Sequence, residues 1–382
     1  DDGSIPEGRI MADVRVRPHH ERYASRPLLV ADALRRLLEE EEEKSGPMSE
    51  EEKRQALLWA QYPKRIAGVK IAVYANKHHE NLDLLADTVP SSITILTQVG
   101  KWAGTIDKLN GYWNFLQTIE DDAIVIFVDA FDVFGNGKFD GHELLSRFFA
   151  FGKPVVISTE ENLYPREVKP LAYQCIDALA AMGQFDRHTK SPFVNAGGQI
   201  GYAWALRKIY DDIHLNMVAN DWQTWMNYAD MVGHWFLQAY DQYELWRYVI
   251  RHTEAAFLGE TELMLTLDTE QTLFGSTVLR KSNWNELLGD EVKGGVNGEH
   301  SIDVDEPLVF DAPQRVFEIG AGCRASFAGR GNTPLFWHGH GPWKPAWEGL
   351  RNRMRAAGCI PPGASHGGPR DTVGLSTTNV TN

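Results

Sequence analysis

Cysteine is scarce in this chain. Three residues, Cys175, Cys323 and Cys359, in 382 are too few for a disulfide framework and lack the spacing of a metal-binding set. One bridge fits, Cys323 to Cys359, and would leave one thiol free. Basic charge is also short: 38 Lys and Arg stand against 52 Asp and Glu, a formal net charge of −14. A sequence-independent grip on nucleic acid needs a cationic surface, so that partner is excluded. Long apolar runs are missing as well. None approaches the roughly 18 residues of a membrane span, and the most apolar stretch, Ala123 to Val128, is the length of a strand. The chain starts at Asp1 with neither an initiator Met nor a signal peptide, as a processed secreted protein or a trimmed chain would. One glycosylation sequon, Asn379-Val380-Thr381, lies in a polar tail. The expectation drawn from these two features is the lumen of the secretory pathway (endoplasmic reticulum or Golgi) or secretion.

What is present divides into three parts. Residues 1–66 read as a helical extension. Apolar residues recur at helical spacing from Leu28 to Leu38, the run Glu39 to Glu43 reads as a solvated face, and Ser49 with Glu52 forms a capping box for a second helix. Residues 359–382 read as a polar, flexible tail rich in Pro, Gly, Ser and Thr. Between them, 67–358, strands alternate with helices. Val69 to Ala75, Ser92 to Leu96, Ala123 to Val128 and Pro154 to Ser158 are strand-like, while Asn81 to Asp87, Leu109 to Ile119 and Phe139 to Phe149 are helical. That alternation predicts an α/β fold with a mostly parallel sheet flanked by helices. Ligands of such sheets bind beyond the carboxyl ends of the strands. Further on, Phe193 to Ala203 reads as a Gly-rich turn and Ala255 to Phe274 has strand character. The tryptophans Trp222, Trp225, Trp235 and Trp246 sit in an aromatic helical region, as core or as a sugar-stacking surface.

Motifs at strand ends carry the chemistry. Val128-Asp129-Ala130-Phe131-Asp132 follows a buried strand directly, so two carboxylates emerge at the ligand-binding edge. Oxygen ligands of this kind suit Mg²⁺ or Mn²⁺; turn and capping aspartates are the competing reading. In Phe336-Trp337-His338-Gly339-His340-Gly341-Pro342-Trp343-Lys344 a His could add a nitrogen ligand, glycines admit a phosphate, and Lys344 could neutralise it. A tight turn with incidental histidines explains the same residues. In the segment Asn195-Ala196-Gly197-Gly198-Gln199 paired glycines would admit a sugar against the backbone, with Asn195 bonding its hydroxyls. Asp241, in Tyr240-Asp241-Gln242, is by itself a surface carboxylate as readily as a catalytic one.

Taken in order, these pieces resemble the glycosyltransferase domain of the procollagen lysyl hydroxylase family. The matching segments are Ala72 to Ala75, Phe127 to Val133, Glu160 to Pro165, Asn195 to Ala203, Asp241-Gln242, Leu267-Asp268 and His338 to Lys344. The resemblance implies a GT-A fold of Rossmann-like type, a UDP-sugar donor and a divalent cation, usually Mn²⁺. It implies Asp129, Asp132 and His338 as metal ligands. It places Ala72, Val73 and Tyr74 on the uridine with Ala130 and Phe131 nearby, and Gly341, Pro342 and Lys344 on the diphosphate. Asp241, Asn195, Glu160 and Tyr164 fall in the catalytic and sugar pocket. The family's collagen reaction moves glucose from UDP-glucose to galactosyl-hydroxylysine with retention, so a protein or glycan acceptor is implied here. Three positions depart from the pattern. Tyr240 precedes a single Asp241 where the family has a run of aspartates, Tyr164 stands where a Trp precedes Pro, and His340 stands where Asn is usual. All three lie on the sugar and acceptor side, and they motivate an alternative, a catalytically inactive GT-A-fold module.

Overall fold

In the computed structural model the described residues are 68–77, 79–89, 93–97, 104–137, 141–165, 168–219, 235–277, 317–328, 331–339, 344–360 and 372–374. The chain divides after Lys64, and every described residue belongs to the unit that follows. The expected N-terminal helices therefore lie outside the described residues, as do Trp222 and Trp225.

The strands come where β-branched and aromatic residues concentrate. β1 (Val69–Tyr74), β2 (Ile93–Thr97) and β3 (Ile124–Val128) alternate with α1 (Glu80–Thr88) and α2 (Thr105–Leu116). β4 (Val133–Gly135) and α3 (Gly141–Ala150) lead to β5 (Val155–Glu160), then α4 (Lys169–Ala181) to β6 (Phe193–Tyr202). Two long helices, α5 (Ala203–Ala219) and α6 (Trp235–Phe257), precede the short strands β7 (Leu265–Leu267) and β8 (Phe274–Ser276). β9 (Phe317–Ile319) and β10 (Ala325–Phe327) form a hairpin, and β11 (Phe336–His338), α7 (Lys344–Ala356) and β12 (Thr372–Gly374) complete the set.

The central sheet has the order β12-β2-β1-β3-β6-β5-β7. Its neighbours pair in parallel except at β6, which runs antiparallel to both β3 and β5. Every residue of β3 is buried, as expected of a strand covered on both faces. The α/β architecture with a mostly parallel sheet is thus as the alternation predicts. Thr372–Gly374, within the segment read as a tail from its composition, pairs with β2 at the sheet edge.

The segment 193–203 is a ten-residue strand, β6, and not a Gly-rich turn. Its glycines answer to what lies against them. A Cβ on Gly198 would stand 2.5 Å from the Phe274 ring, and one on Gly201 would stand 2.8 Å from the Pro154 carbonyl oxygen. The stretch expected to be strand from Ala255 starts instead with the end of α6, and only Leu265–Leu267 and Phe274–Ser276 are extended. Trp246 is fully buried, a core residue and not a sugar platform.

A second, smaller sheet of order β4-β11-β8 controls the site. β11 pairs antiparallel with β4, setting His338 opposite Val133, and the Gly339 amide donates to the Asp132 carbonyl at 2.8 Å. A core of Phe134, Phe317, Phe327, Trp337, Trp347 and Leu350 packs this sheet against α7 and the β9–β10 hairpin. The Cys323–Cys359 bridge joins that hairpin to the end of α7, and Cys175 is a buried free thiol. The bridge spans 36 residues, so its loss releases about 3–4 kcal/mol of loop entropy to the unfolded chain. Cys323→Ser is expected to lower unfolding free energy by that amount in a denaturant titration; an unchanged midpoint would show that the hairpin and α7 hold without it.

Candidate functional site

Three chain segments meet at the carboxyl end of β3. Asp129 and Asp132 follow that strand directly, and the small sheet carries His338 back to them. One oxygen or nitrogen from each of Asp129, Asp132 and His338 lies within 4.8 Å of the others. His338 Nε2 is 3.2 Å from Asp129 Oδ2 and 3.6 Å from Asp132 Oδ1. Room for the imidazole comes from β6: a Cβ on Gly197 would stand only 2.0 Å from His338 Cε1. Gly197→Ala is therefore expected to push His338 out of the cluster and weaken cation binding by at least about tenfold. Calorimetric titration with Mn²⁺ checks this, and an affinity like that of the unmodified protein would contradict the packing argument.

The other face of the ring is fixed too. His338 Nδ1 is 3.1 Å from Asn195 Oδ1, which also accepts the Gly197 amide at 2.8 Å. With its proton on Nδ1 donated to Asn195, the ring turns Nε2 toward the two carboxylates. Asn195 is held in turn, since its Nδ2 donates to Glu160 Oε1 at 3.2 Å. Gln242 completes the chain. Its Nε2 donates to Glu160 Oε1 and to the Tyr164 carbonyl, both at 2.7 Å, and its Oε1 accepts from the Ala196 amide at 3.3 Å.

Lys108 joins the two acidic motifs. From inside α2 its ammonium donates to Asp129 Oδ1, to Asp241 Oδ2 at 2.7 Å and to the Ala196 carbonyl at 3.3 Å. That leaves Asp129 Oδ2 for the His338 side of the cluster. Burial opposes the lysine's charge, yet the two carboxylates outweigh it and hold its pKa well above the ordinary value. The same pairing, with His338, overcomes burial at Asp129 and keeps that carboxyl ionised far below its usual range. Burial also opposes charge on His338, but Asp129 and Asp132 raise its imidazole to about 9.

Glu160 behaves in the opposite way. Burial pushes its carboxyl up to about 7, against the donors Gln242 and Asn195 that favour the anion. A carboxyl with a raised folded pKa stabilises most below its unfolded value of 4.5, and that contribution is lost as pH rises through 7. The melting temperature of the metal-free protein is expected to fall between about pH 5 and 8. Glu160→Gln should flatten that slope; an identical slope in the variant would place the titration elsewhere.

The structure thus brings Asp129, Asp132, His338, Asn195, Glu160 and Asp241 into one connected group. Tyr164 touches it through its carbonyl, while its side chain lies 41% exposed at the rim. Ala72 and Val73 are wholly buried in β1, and Tyr74 is buried with its ring against Gly111 of α2. Ala130 is buried; Phe131 is half-buried, its carbonyl accepting from Asn81 Nδ2 at 2.6 Å and its ring 5.4 Å from that of His79. Gly341 and Pro342 lie outside the described residues. Lys344 opens α7, and only its backbone is described. Sequence reasoning missed Lys108 and Gln242. A signal for Lys108 was available, because it sits on the apolar stripe of α2 with Ile106, Leu109, Tyr112 and Phe115, where a charge must have partners. Gln242 stood in the matched pair Asp241-Gln242, but nothing in that pair assigned it a role.

The family described as the PLOD GT domain matches residues 96–228. The match takes in Lys108, Asp129, Asp132, Glu160, Tyr164 and Asn195, and stops short of Asp241 and His338. The chain carries a glycosyltransferase domain, and the likeness to the lysyl hydroxylase glycosyltransferases seen in the motifs is borne out. Among solved structures, the crystal structure of mouse xyloside xylosyltransferase 1 in its apo form is similar to 58% of this chain and 90% of that one. The identity is 12% and the TM-score 0.31. No curated protein matches the chain.

Proposed function

We propose that this glycosyltransferase is metal-dependent and moves a hexose from a UDP-sugar, UDP-glucose or UDP-galactose first, to a hydroxyl of a protein or glycan acceptor with retention. The observation that carries the reading is the Asp129, Asp132 and His338 cluster at the sheet edge where ligands bind. Two carboxylates and an imidazole suit Mn²⁺, and Mg²⁺ less well, because the nitrogen donor favours the softer ion. When bound, such a cation neutralises the charge of a diphosphate leaving group.

The chain's own residues do the rest. Asn195, braced by Glu160 and Gln242, holds His338 with Nε2 facing Asp129 and Asp132. Lys108 fixes Asp129 and Asp241 in one arrangement and places a positive charge between them. Asp241 orients the acceptor hydroxyl, a positioning role, because retention needs no strong base opposite the leaving group. Following the resemblance, Ala72, Val73, Tyr74, Ala130 and Phe131 hold the nucleoside, Ala72 and Val73 through their backbone. Gly341, Pro342 and Lys344 hold the diphosphate. The Cys323–Cys359 bridge supports work in an oxidising compartment, the secretory lumen or outside the cell.

The test is UDP release from a panel of UDP-sugars, with Mn²⁺ and with chelator, in the absence of acceptor. One sugar hydrolysed slowly and only with metal is the expected result. Mn²⁺-dependent UDP binding without turnover of any donor would favour the inactive module, and no binding of UDP would remove the reading.

A further inference from the structure

Two strands that lie side by side in the central sheet, β1 and β3, each carry an aromatic ring past their carboxyl ends. His79 follows β1 and caps α1, while Phe131 follows β3 and directly precedes Asp132. Their ring centroids are 5.4 Å apart, tilted by 51°, and both residues are half-buried, so part of each ring stays open. The cation cluster and the Lys108 network use neither ring. His79, and Arg351 of α7, also lie outside every segment that carries the family likeness and outside residues 96–228.

Hydrogen bonds fix which atoms these residues present. The Asn81 amide donates to His79 Nδ1 at 3.1 Å, so the imidazole proton sits on Nε2. Nε2 is neither enclosed nor bonded among the described residues, which makes it an open donor. Asn81 is fully engaged: its Nδ2 donates to the Phe131 carbonyl at 2.6 Å, and its Oδ1 accepts from Arg351 Nη1 at 2.9 Å. Arg351 lies 5.2 Å over the ring of the buried Trp347, and with Asn81 this holds the guanidinium in one place. No carboxylate pairs with it among the described residues, although the chain has a net charge of −14. Its Nε is enclosed, but its Nη2 is open. A guanidinium held still near the ligand-binding edge, with no acid of its own, is fitted to an acceptor that a ligand brings.

The combination says what the ligand looks like. A free anion would pair with Arg351 and leave the Phe131 ring uncovered, and a cationic ring would be repelled. A planar neutral ring covers Phe131 by stacking, and two donors beside it call for an edge that offers acceptors. Among pyrimidine bases, uracil presents a carbonyl oxygen where cytosine presents an amino group. The amino group would face His79 Nε2 and Arg351 donor against donor. We propose that His79 and Arg351 read the base of the donor nucleotide and select uracil over cytosine, with Phe131 as the stacking face. This rests on the nucleotide-sugar reading and names the residues that give it base specificity.

Calorimetric titration of the full chain with UDP and with CDP, each in the presence of Mn²⁺, tests this. The unmodified protein is expected to bind UDP about tenfold or more tightly than CDP, the scale of one hydrogen bond exchanged for an unpaired donor. His79→Asn keeps an acceptor to cap α1 but loses the Nε2 donor, and should lower that ratio about threefold or more. Arg351→Met, which keeps a long side chain on Trp347, should lower it as well. Arg351→Lys, which keeps the charge and loses the fork, serves if Arg351→Met does not fold. Equal affinity for UDP and CDP in the unmodified protein would overturn the proposal and leave nucleotide binding standing. So would a ratio unchanged in the variants at both positions with UDP and CDP weakened alike, since the two donors would then serve the phosphates or the fold. Binding of neither nucleotide would remove the nucleotide-sugar reading, and this proposal with it.

Discussion

Replacing Asp129 by Asn, or His338 by Ala, is expected to abolish cation-dependent donor turnover. Loss of a residue that merely orients a ligand costs roughly 10–100-fold in metal affinity or activity, and loss of a ligand itself should exceed that. The two variants should also differ in their response to pH. In the metal-free protein the imidazole of His338 stays protonated up to about 9, so a cation must displace its proton. Affinity for Mn²⁺ should then rise by up to about tenfold per pH unit between about pH 6 and 8, and His338→Ala should remove most of that rise. Calorimetric Mn²⁺ titrations at three pH values check this. A pH-independent affinity, or full turnover in either variant, would remove His338 and Asp129 from the metal site.

Lys108→Met is expected to have the largest effect on stability. The ammonium and Asp241 side chains are each 9% exposed and that of Asp129 is 27% exposed, so removing the lysine leaves two carboxylates facing each other with little solvent. Breaking a buried pair from one side costs about 3–5 kcal/mol. Urea unfolding in chelator should show a loss of that size. Mn²⁺ should restore part of it, because the cation then supplies the missing positive charge. Adding Asp129→Asn to Lys108→Met should cost less than the sum of the single changes. Strict additivity would mean that the Lys108–Asp129 contact does not contribute.

The alternation of strands and helices was legible because each strand is a local run of β-branched residues. The Asp129, Asp132 and His338 cluster was legible for a related reason: the two aspartates follow the most apolar strand, and His338 ends another. β6 was not. Three glycines in ten residues read as a turn when only local propensity is weighed, yet each faces a ring or a backbone that no side chain could clear. That information sits in β11, β8 and the turn before β5, far along the chain. Ala255 onward failed for a different reason, since α6 continues under tertiary packing through residues with strand character. The brace of Glu160, Asn195 and Gln242 was half visible. All three stood in matched segments, but the bond between Asn195 and Glu160 depends on a register between β5 and β6 that carries a bulge at Ile157/Thr159.

The pairing of β4 with β11 makes the proposed metal site a checkpoint for completeness. Lys108 and the two aspartates are synthesised in the first half of the chain, and five of the large sheet's seven strands, β1, β2, β3, β5 and β6, are complete by Tyr202. The imidazole arrives only when residue 338 has been made and its strand has docked. A chain that is truncated, or whose hairpin and α7 have come loose, keeps its acidic motif but loses the nitrogen ligand. Under the proposed reading, cation affinity reports whether the whole domain is closed, and an unfinished or partly opened molecule should bind the cation weakly.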